Sequence, residues 1–464
     1  MQKVLFFVLL LSSSLVFSQE TLLRGLVTET KVSSDSLDIS YSIFLPKSYS
    51  ADKPVKVLFV FDPEGEGTRA ARLFASGLGD QNFVIAANNI PLYNDLDSLD
   101  INADMAVQLM RDVFLKVSVN KNEIYMAGLK SGAQVASAVS YILTGSTNLL
   151  LIDDVFYANQ YLKRSKRNTV MGVVGEASEN YYQMADYFSM LRAFDGDNTL
   201  YEYSNTDVWP SAAFLGTLIN RLSHLNLERL NAELPDPIWR QEYKFDLTTV
   251  ASLIQQEEYL TAYDLVTDLK SDYRGNVDLD PIREVQRSLR RSDNYKIAKR
   301  KDKAGNLEEI LLLEDITYFL DEDITLANFE NLGYWDSRIN DFKVAAKNTT
   351  KPREQKVAKR MLGYIDYTLN DFLTLNTIGL MDQRIFSNVL MTILQPNEYK
   401  PYLDIIGLSA KDEDYNTAYF YLEELLKQGY TSYDALYEIP NTELLKIKPI
   451  YNELIRTYLG KSKF

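Results

Sequence analysis

The 464-residue chain has no cysteine and one histidine, His224. The missing thiols exclude disulfides, thiolate catalysis, Cys-based metal sites and a lipidated N-terminal cysteine anchor. Imidazole is the commonest general base and metal ligand near neutral pH, so a single copy excludes His-rich metal sites. No metal and no other cofactor is expected. Cationic density is also short: the formal net charge is −15. Nucleic acid and anionic membrane surfaces are therefore poor general partners, since affinity for both grows with Lys and Arg. Long apolar runs are absent beyond the N-terminus. There, Lys3 precedes "VLFFVLLLSSSLVF" (Val4–Phe17), which reads as a signal peptide over residues 1–19, cleaved near Ser18 or Gln19. It is short for a membrane anchor, and no transmembrane segment is expected after cleavage. The expectation is export, into the periplasm of a Gram-negative cell or to its outer membrane through another protein. Missing disulfides do not argue against this, because a chain this long buries enough core without them.

What is present divides into two rhythms. Hydrophobic residues make up 46% of the chain and tyrosines number 31, enough for packed cores with aromatic-rich helix contacts. From residue 20 to 224, short apolar runs alternate with helical patterns. "DISYSIFLP" (Asp38–Pro46) alternates. "VKVLFVFDP" (Val55–Pro63), "NFVIAANNI" (Asn82–Ile90), "NEIYMAGL" (Asn122–Leu129) and "TVMGVVGE" (Thr169–Glu176) are continuous, as strands buried on both faces are; "LYEYS" (Leu200–Ser204) is a weaker copy. Helical stretches such as Asp104–Val117 separate them. This order predicts an α/β domain, a mostly parallel sheet with helices on both faces. "PDPIW" (Pro235–Trp239) reads as a linker. Residues 225–464 then read as an all-α helical-hairpin domain, with long patterns over Thr248–Tyr273, Lys356–Leu375 and Tyr415–Tyr430. In the last, Ala418, Leu422, Leu425 and Leu426 recur on one face and Gly429 sits as a helix stop. Tyr433–Ile455 reads as another helix pair. These units resemble the C-terminal hairpins of tetratricopeptide-repeat proteins, and either a repeat-like solenoid or an irregular bundle fits.

One basic island stands out. "REVQRSLRRSDNYKIAKRKDK" (Arg283–Lys303) holds nine Lys or Arg against Glu284, Asp293 and Asp302. It reads as a solvated helix face or as a docking patch for an acidic partner.

Five stretches carry a stronger signal. "GLKSG" (Gly128–Gly132) places Gly-x-x-x-Gly on a strand-to-helix turn, the spacing of a nucleophile elbow. "FDPEGEG" (Phe61–Gly67), "AANNI" (Ala86–Ile90, with Asn94 following), "GEASENYYQM" (Gly175–Met184) and "TDVWPSAAF" (Thr206–Phe214) each follow a strand in turn. Over Leu37–Leu222 the chain resembles the α/β-hydrolase superfamily, in particular bacterial secreted esterases. The resemblance implies an oxyanion loop at Phe61–Gly67, a nucleophile at Lys130, an acid at Ser178 and a histidine at Asp207. None of the three suits its role. Acyl transfer needs an activated nucleophile, an imidazole and an orienting carboxylate. Glu64 also stands where the family often has His. Ser131 is the nearest hydroxyl, but it lies one residue past the elbow tip, where the backbone N–H serves the oxyanion hole. Lys130 and Asp207, with Glu64 as a third member, are expected to converge on one pocket. An ion pair filling a vestigial site, a pocket for a small ligand, and a divergent site all fit that convergence. His224 reads as a solvent-facing or N–H-bonded helix residue.

Three functions follow. The first is an exported, catalytically inactive scaffold or binding component of the cell envelope, with a protein partner on its helical domain. The second is a divergent esterase using Ser131 or another non-standard residue. The third is a module binding an envelope carbohydrate or fragment.

Overall fold

The structure, a computed structural model, describes residues 22–32, 38–93, 98–143, 145, 147–157, 168–193, 198–205, 207–375 and 380–464. The expected signal peptide, Asn94 and Thr206 lie outside the described residues. Eight strands form one sheet in the order β1-β2-β4-β3-β5-β6-β7-β8. They are β1 (Val27–Lys31), β2 (Ser40–Phe44), β3 (Val55–Phe61), β4 (Phe83–Asn88), β5 (Val119–Leu129), β6 (Asn148–Ile152), β7 (Thr169–Gly175) and β8 (Asn198–Tyr203). The β1/β2 and β2/β4 pairs are antiparallel, and every other pair is parallel. The continuous apolar runs became the central strands, as burial on both faces requires. Two strands were not anticipated. "VTETK" of β1 is polar and sits at the sheet edge, and "NLLLI" of β6 is a short run that its flanks obscure.

Helices α1 (Gly67–Leu78), α2 (Leu99–Lys116), α3 (Ser131–Ile142), α4 (Tyr181–Ala193) and α5 (Ala212–Arg229) cover the sheet. Helices α1 and α5 pack with one cluster of core residues, and α2, α3 and α4 with the other. The sheet domain is thus α/β and α/β-hydrolase-like.

The limit expected between residues 224 and 225 falls inside α5. The stretch expected to be a linker instead opens α6 (Asp236–Gln255), with Pro237 in its first turn, where a missing N–H costs nothing. The helical pattern over Thr248–Tyr273 divides at Glu257 (φ 65°) into α6 and α7 (Tyr259–Asp272). These two, with α8 (Asp280–Arg291), extend the core beneath α1 and α5 through Tyr243, Leu253, Leu265, Ile282 and Leu289. The change of rhythm therefore marks no break in packing.

Beyond it come α9 (Asp293–Leu326), a 3-10 turn at Phe329–Asn331, α10 (Leu332–Lys347), α11 (Pro352–Leu375), α12 (Met381–Leu394), α13 (Tyr399–Lys411) and α14 (Tyr415–Lys427). The sharp α9–α10 turn is held by buried Asp323, which accepts from Asn328, Asn331 and the Trp335 indole. In α14 the expected Ala418, Leu422, Leu425 and Leu426 are buried, and Gly429 follows at φ 89°. The expected helix pair over Tyr433–Ile455 is instead two single turns, α15 (Tyr433–Leu436) and α16 (Glu443–Lys446), before α17 (Pro449–Leu459). No helix of the described residues is long and apolar enough to cross a membrane.

Helix α11 is the clamp between the halves. Arg360, 3% exposed at its side chain, pairs with Glu309 of α9 at 3.0 Å and donates from Nε to the Glu176 carbonyl at 2.7 Å. Its guanidinium lies 3.3 Å from the centroid of the Tyr181 ring. One turn on, a Cβ on Gly363 would lie 1.8 Å from the Glu179 carbonyl oxygen, so only glycine allows this approach. Removing one partner of a buried ion pair strands the other. Arg360→Met should lower stability by about 3–5 kcal/mol, whereas Arg360→Met with Glu309→Leu should recover most of the loss. Urea unfolding of the two variants checks this.

Candidate functional site

The site begins with the turn after β5. Lys130 occupies its tip at φ 50°, ψ −122°, a strained conformation for a non-glycine residue. A Cβ on Gly128 would lie 2.1 Å from the Gly132 carbonyl oxygen, and one on Gly132 would lie 2.0 Å from that of Phe61. The two glycines let the helix start close against β3 and β5. Lys130 N donates to the Ile152 carbonyl at 2.8 Å, which fixes the turn to the end of β6. The sharp turn projects its tip side chain out of the sheet edge.

There the Lys130 ammonium meets Asp207 Oδ1 at 3.0 Å, with side chains 41% and 82% exposed. A cation at a helix N-terminus faces the positive end of the helix dipole, and Asp207 offsets that. The hydrogen bond and charge of Lys130 hold the Asp207 carboxyl below its ordinary range, with Lys359 of α11 adding to the effect. Such an exposed pair contributes under about 1 kcal/mol to stability. The Asp207 loop is anchored on both sides. Ser204 bonds to Glu258 through both its N–H and its hydroxyl. The Trp209 indole donates to Asp62 Oδ2 at 2.7 Å.

Asp62 is the hub of the loop expected to form an oxyanion hole. Its Oδ1 accepts from the N–H groups of Glu64 and Glu66, each at 3.0 Å. Its own N–H donates to Asn88 Oδ1 at 2.7 Å. Two of that loop's N–H groups thus serve Asp62. Glu64 itself is exposed. It forms no ion pair with Lys130, so the expected three-way convergence reduces to Lys130 and Asp207. Ser178, expected at the acid's position, accepts from Asn180 N at 3.0 Å and closes a turn of its own loop. Ser131 is the first residue of α3.

The sequence reading missed an acidic pair at the end of β6. Asp153, at φ 63°, accepts from Gly175 N at 3.0 Å and so ties β6 to the start of the acid loop. Asp154 accepts from Gln134 Nε2 at 2.8 Å and from Val155 N at 2.7 Å. Two acids directly after a fully apolar strand, at the C-terminal edge of a parallel sheet, were the available signal. Beside them a cavity of about 610 Å³ opens between Glu179–Asn180 and helices α10–α12, with Lys343, Lys347 and Lys359 in its wall.

Of the two expectations for His224, the hydrogen-bonded helix residue holds and the solvent-facing one does not. His224 is buried in α5 toward the opposite end of the sheet, with Nε2 2.6 Å from Glu242 Oε2 and its ring against Trp239. Nearby Arg221 reaches Asp272 at 2.6 Å and Asp268 at 3.1 Å, on one wall of a cavity of about 970 Å³. Among the described residues, no group of three or more His, Asp or Glu side chains is placed to hold a metal ion.

No protein-family profile and no curated protein sequence matches this chain. Among solved structures, a thermostable esterase matches with 16% identity over 44% of this chain and 62% of its own length, at a TM-score of 0.35. A ferulic acid esterase matches with 13% identity over 43% of this chain and 97% of its own, at 0.34. Thermogutta terrifontis esterase 2 matches with 12% identity over 45% and 96%, at 0.35. Scores this low carry no functional argument; the fold rests on the strand order and the elbow.

Burial pushes the Asp154 carboxyl from 3.8 up to about 8, with the charges of Asp153 and Asp366 acting the same way. The folded state therefore keeps a proton that the unfolded chain releases. That contribution is full below the unfolded value and is lost as pH rises from about 4 to about 8, by up to about 1.4 kcal/mol per pH unit. Asp154→Asn should remove this dependence. Its stability advantage over the wild type should widen from about pH 5 to about pH 8 and then stay constant, as read from urea midpoints.

Proposed function

We propose that this chain is an exported, catalytically silent α/β-hydrolase-like protein of the cell envelope, a scaffold whose helical half docks a protein partner. The observation that carries the silence is the Lys130–Asp207 ion pair at the elbow tip. A protonated amine has no lone pair to attack a carbonyl, and the Lys130 ammonium is engaged by the Asp207 carboxylate instead. Asp207 cannot do the work of an imidazole that both takes and returns a proton. Ser178 spends its hydroxyl on its own turn, and Arg360 holds the neighbouring Glu176 carbonyl. The export and envelope parts of this reading rest on the N-terminal leader pattern. The docking part rests on the stack of helices α9–α14 and its exposed faces.

An ester-hydrolysis assay on a short acyl ester tests the silence. The wild type, Ser131→Ala and Lys130→Ser should all match the uncatalysed background, because one restored triad member lacks its partners. Only Lys130→Ser with Ser178→Asp and Asp207→His rebuilds all three roles. Wild-type turnover that Ser131→Ala abolishes would replace this reading with that of a divergent esterase.

A further inference from the structure

The longest helix, α9, uses one face inside the protein and leaves the other bare. Ile316, Leu320 and Ile324 bury the inner face against α10, α11 and α12. On the opposite face, at spacings of three and four, stand Lys296, Arg300, Lys303, Leu307, Leu311, Glu314, Tyr318 and Glu322, all exposed. Three of these are large apolar side chains that a folded surface does not normally line up: Leu307 is 63% exposed, Leu311 54% and Tyr318 63%. The stripe repeats every eleven residues, from Lys296 to Leu307 to Tyr318 and from Arg300 to Leu311 to Glu322. That spacing keeps one face of a nearly straight helix in line.

The order of chemistry along the stripe is the telling feature. Its first part is basic, its middle is aliphatic and its last part is acidic with one tyrosine. Such a stripe is complementary to its own reverse. Laid antiparallel about a two-fold axis between Leu307 and Leu311, Lys296 of one copy faces Glu322 of the other. Arg300 then faces the Tyr318 ring, Lys303 lies beside Glu314, and Leu307 meets Leu311. Each contact occurs twice, as an isologous interface requires. Parallel pairing would instead set like charges together. The contact that Lys296 makes within its own chain is an exposed pair with Asp293 at 3.3 Å, one turn away, which costs little to exchange. The acidic chain as a whole repels its copy, so the basic segment, short as it is, sets both partner and direction.

We propose that this stripe of α9 pairs antiparallel with α9 of a second copy of this chain. The basic island Arg283–Lys303 then contributes its α9 part to a homodimer seam rather than to a foreign acidic partner. The inference is independent of whether the elbow turns over an ester.

Sedimentation velocity on the purified chain, at low and high salt, tests it. The wild type should dimerise, and more weakly at high salt. Lys296→Glu with Lys303→Glu should weaken the dimer about tenfold or more, and so should Glu314→Lys with Glu322→Lys. An equimolar mixture of these two variants should restore it as a heterodimer, because both ends of the seam become complementary again. Leu307→Asp with Leu311→Asp should abolish it. All substitutions lie on the exposed face, so circular dichroism and thermal midpoints should match the wild type. A wild type that stays monomeric at low salt and high concentration overturns the proposal, including the case where a foreign helix occupies the stripe. So does a dimer insensitive to these variants, or one that the mixture fails to restore.

Discussion

One buried guanidinium, that of Arg360, holds the two halves in register. A charge moved out of water costs several kcal/mol unless paired and hydrogen-bonded. Arg360 has Glu309 on one side, the Glu176 carbonyl on another and the Tyr181 ring across its face. Glu202 stands within 3.5 Å. These groups come from α9, from the loop after β7, from the start of α4 and from β8. The geometry of one side chain therefore fixes where α11 crosses the sheet edge. Tyr182 extends the same joint by donating to Glu309, and Tyr157 meets Tyr367 further along α11. The loop that would carry a catalytic acid is thereby a docking platform, and its shape answers to the helical half.

The elbow persists beside this joint for a separate reason. Its close approaches are between backbones: Gly128 against Gly132, and Gly132 against Phe61. Those contacts let α3 pack against the central strands whatever side chain stands at the tip. Position 130 is thus conformationally demanding but chemically open. Lysine there meets an unfavourable φ and the wrong end of a helix dipole. A carboxylate directly opposite, on a loop tied down by Trp209 and Ser204, offsets the second of these.

Legibility from sequence followed how local the deciding physics was. The runs at Val55–Phe61 and Thr169–Gly175 declare doubly buried strands by composition alone, and the glycine spacing declares the elbow. Aligning five loops in order placed Lys130 opposite Asp207, and the structure has them 3.0 Å apart. What escaped was set by distant neighbours. "VTETK" becomes β1 only because β2 offers it an edge. Pro237 read as a break because proline both ends and begins helices, and packing against α5 decides which. The break at Glu257 left no glycine to mark it. Asp154 and Arg360 look like ordinary surface charges in the sequence. Their burial comes from α3 and β6 in one case, and from α4 and α9 in the other.

The same logic bears on where the chain can take a further contact. At the sheet edge, three polar side chains are already engaged: Asp62 by two N–H groups and an indole, Asp153 by Gly175, Ser178 by Asn180. A committed polar group must give up an existing bond before it takes another, so the net gain from a new contact is small. On α9 the balance reverses. Its inner face is saturated by Ile316, Leu320 and Ile324, while its outer face presents aliphatic and charged side chains to water. Apolar surface there gains about 25 cal/mol for each Å² that a partner covers, without breaking any bond within the chain. A helix 34 residues long, with one face spent on folding, keeps the other for association.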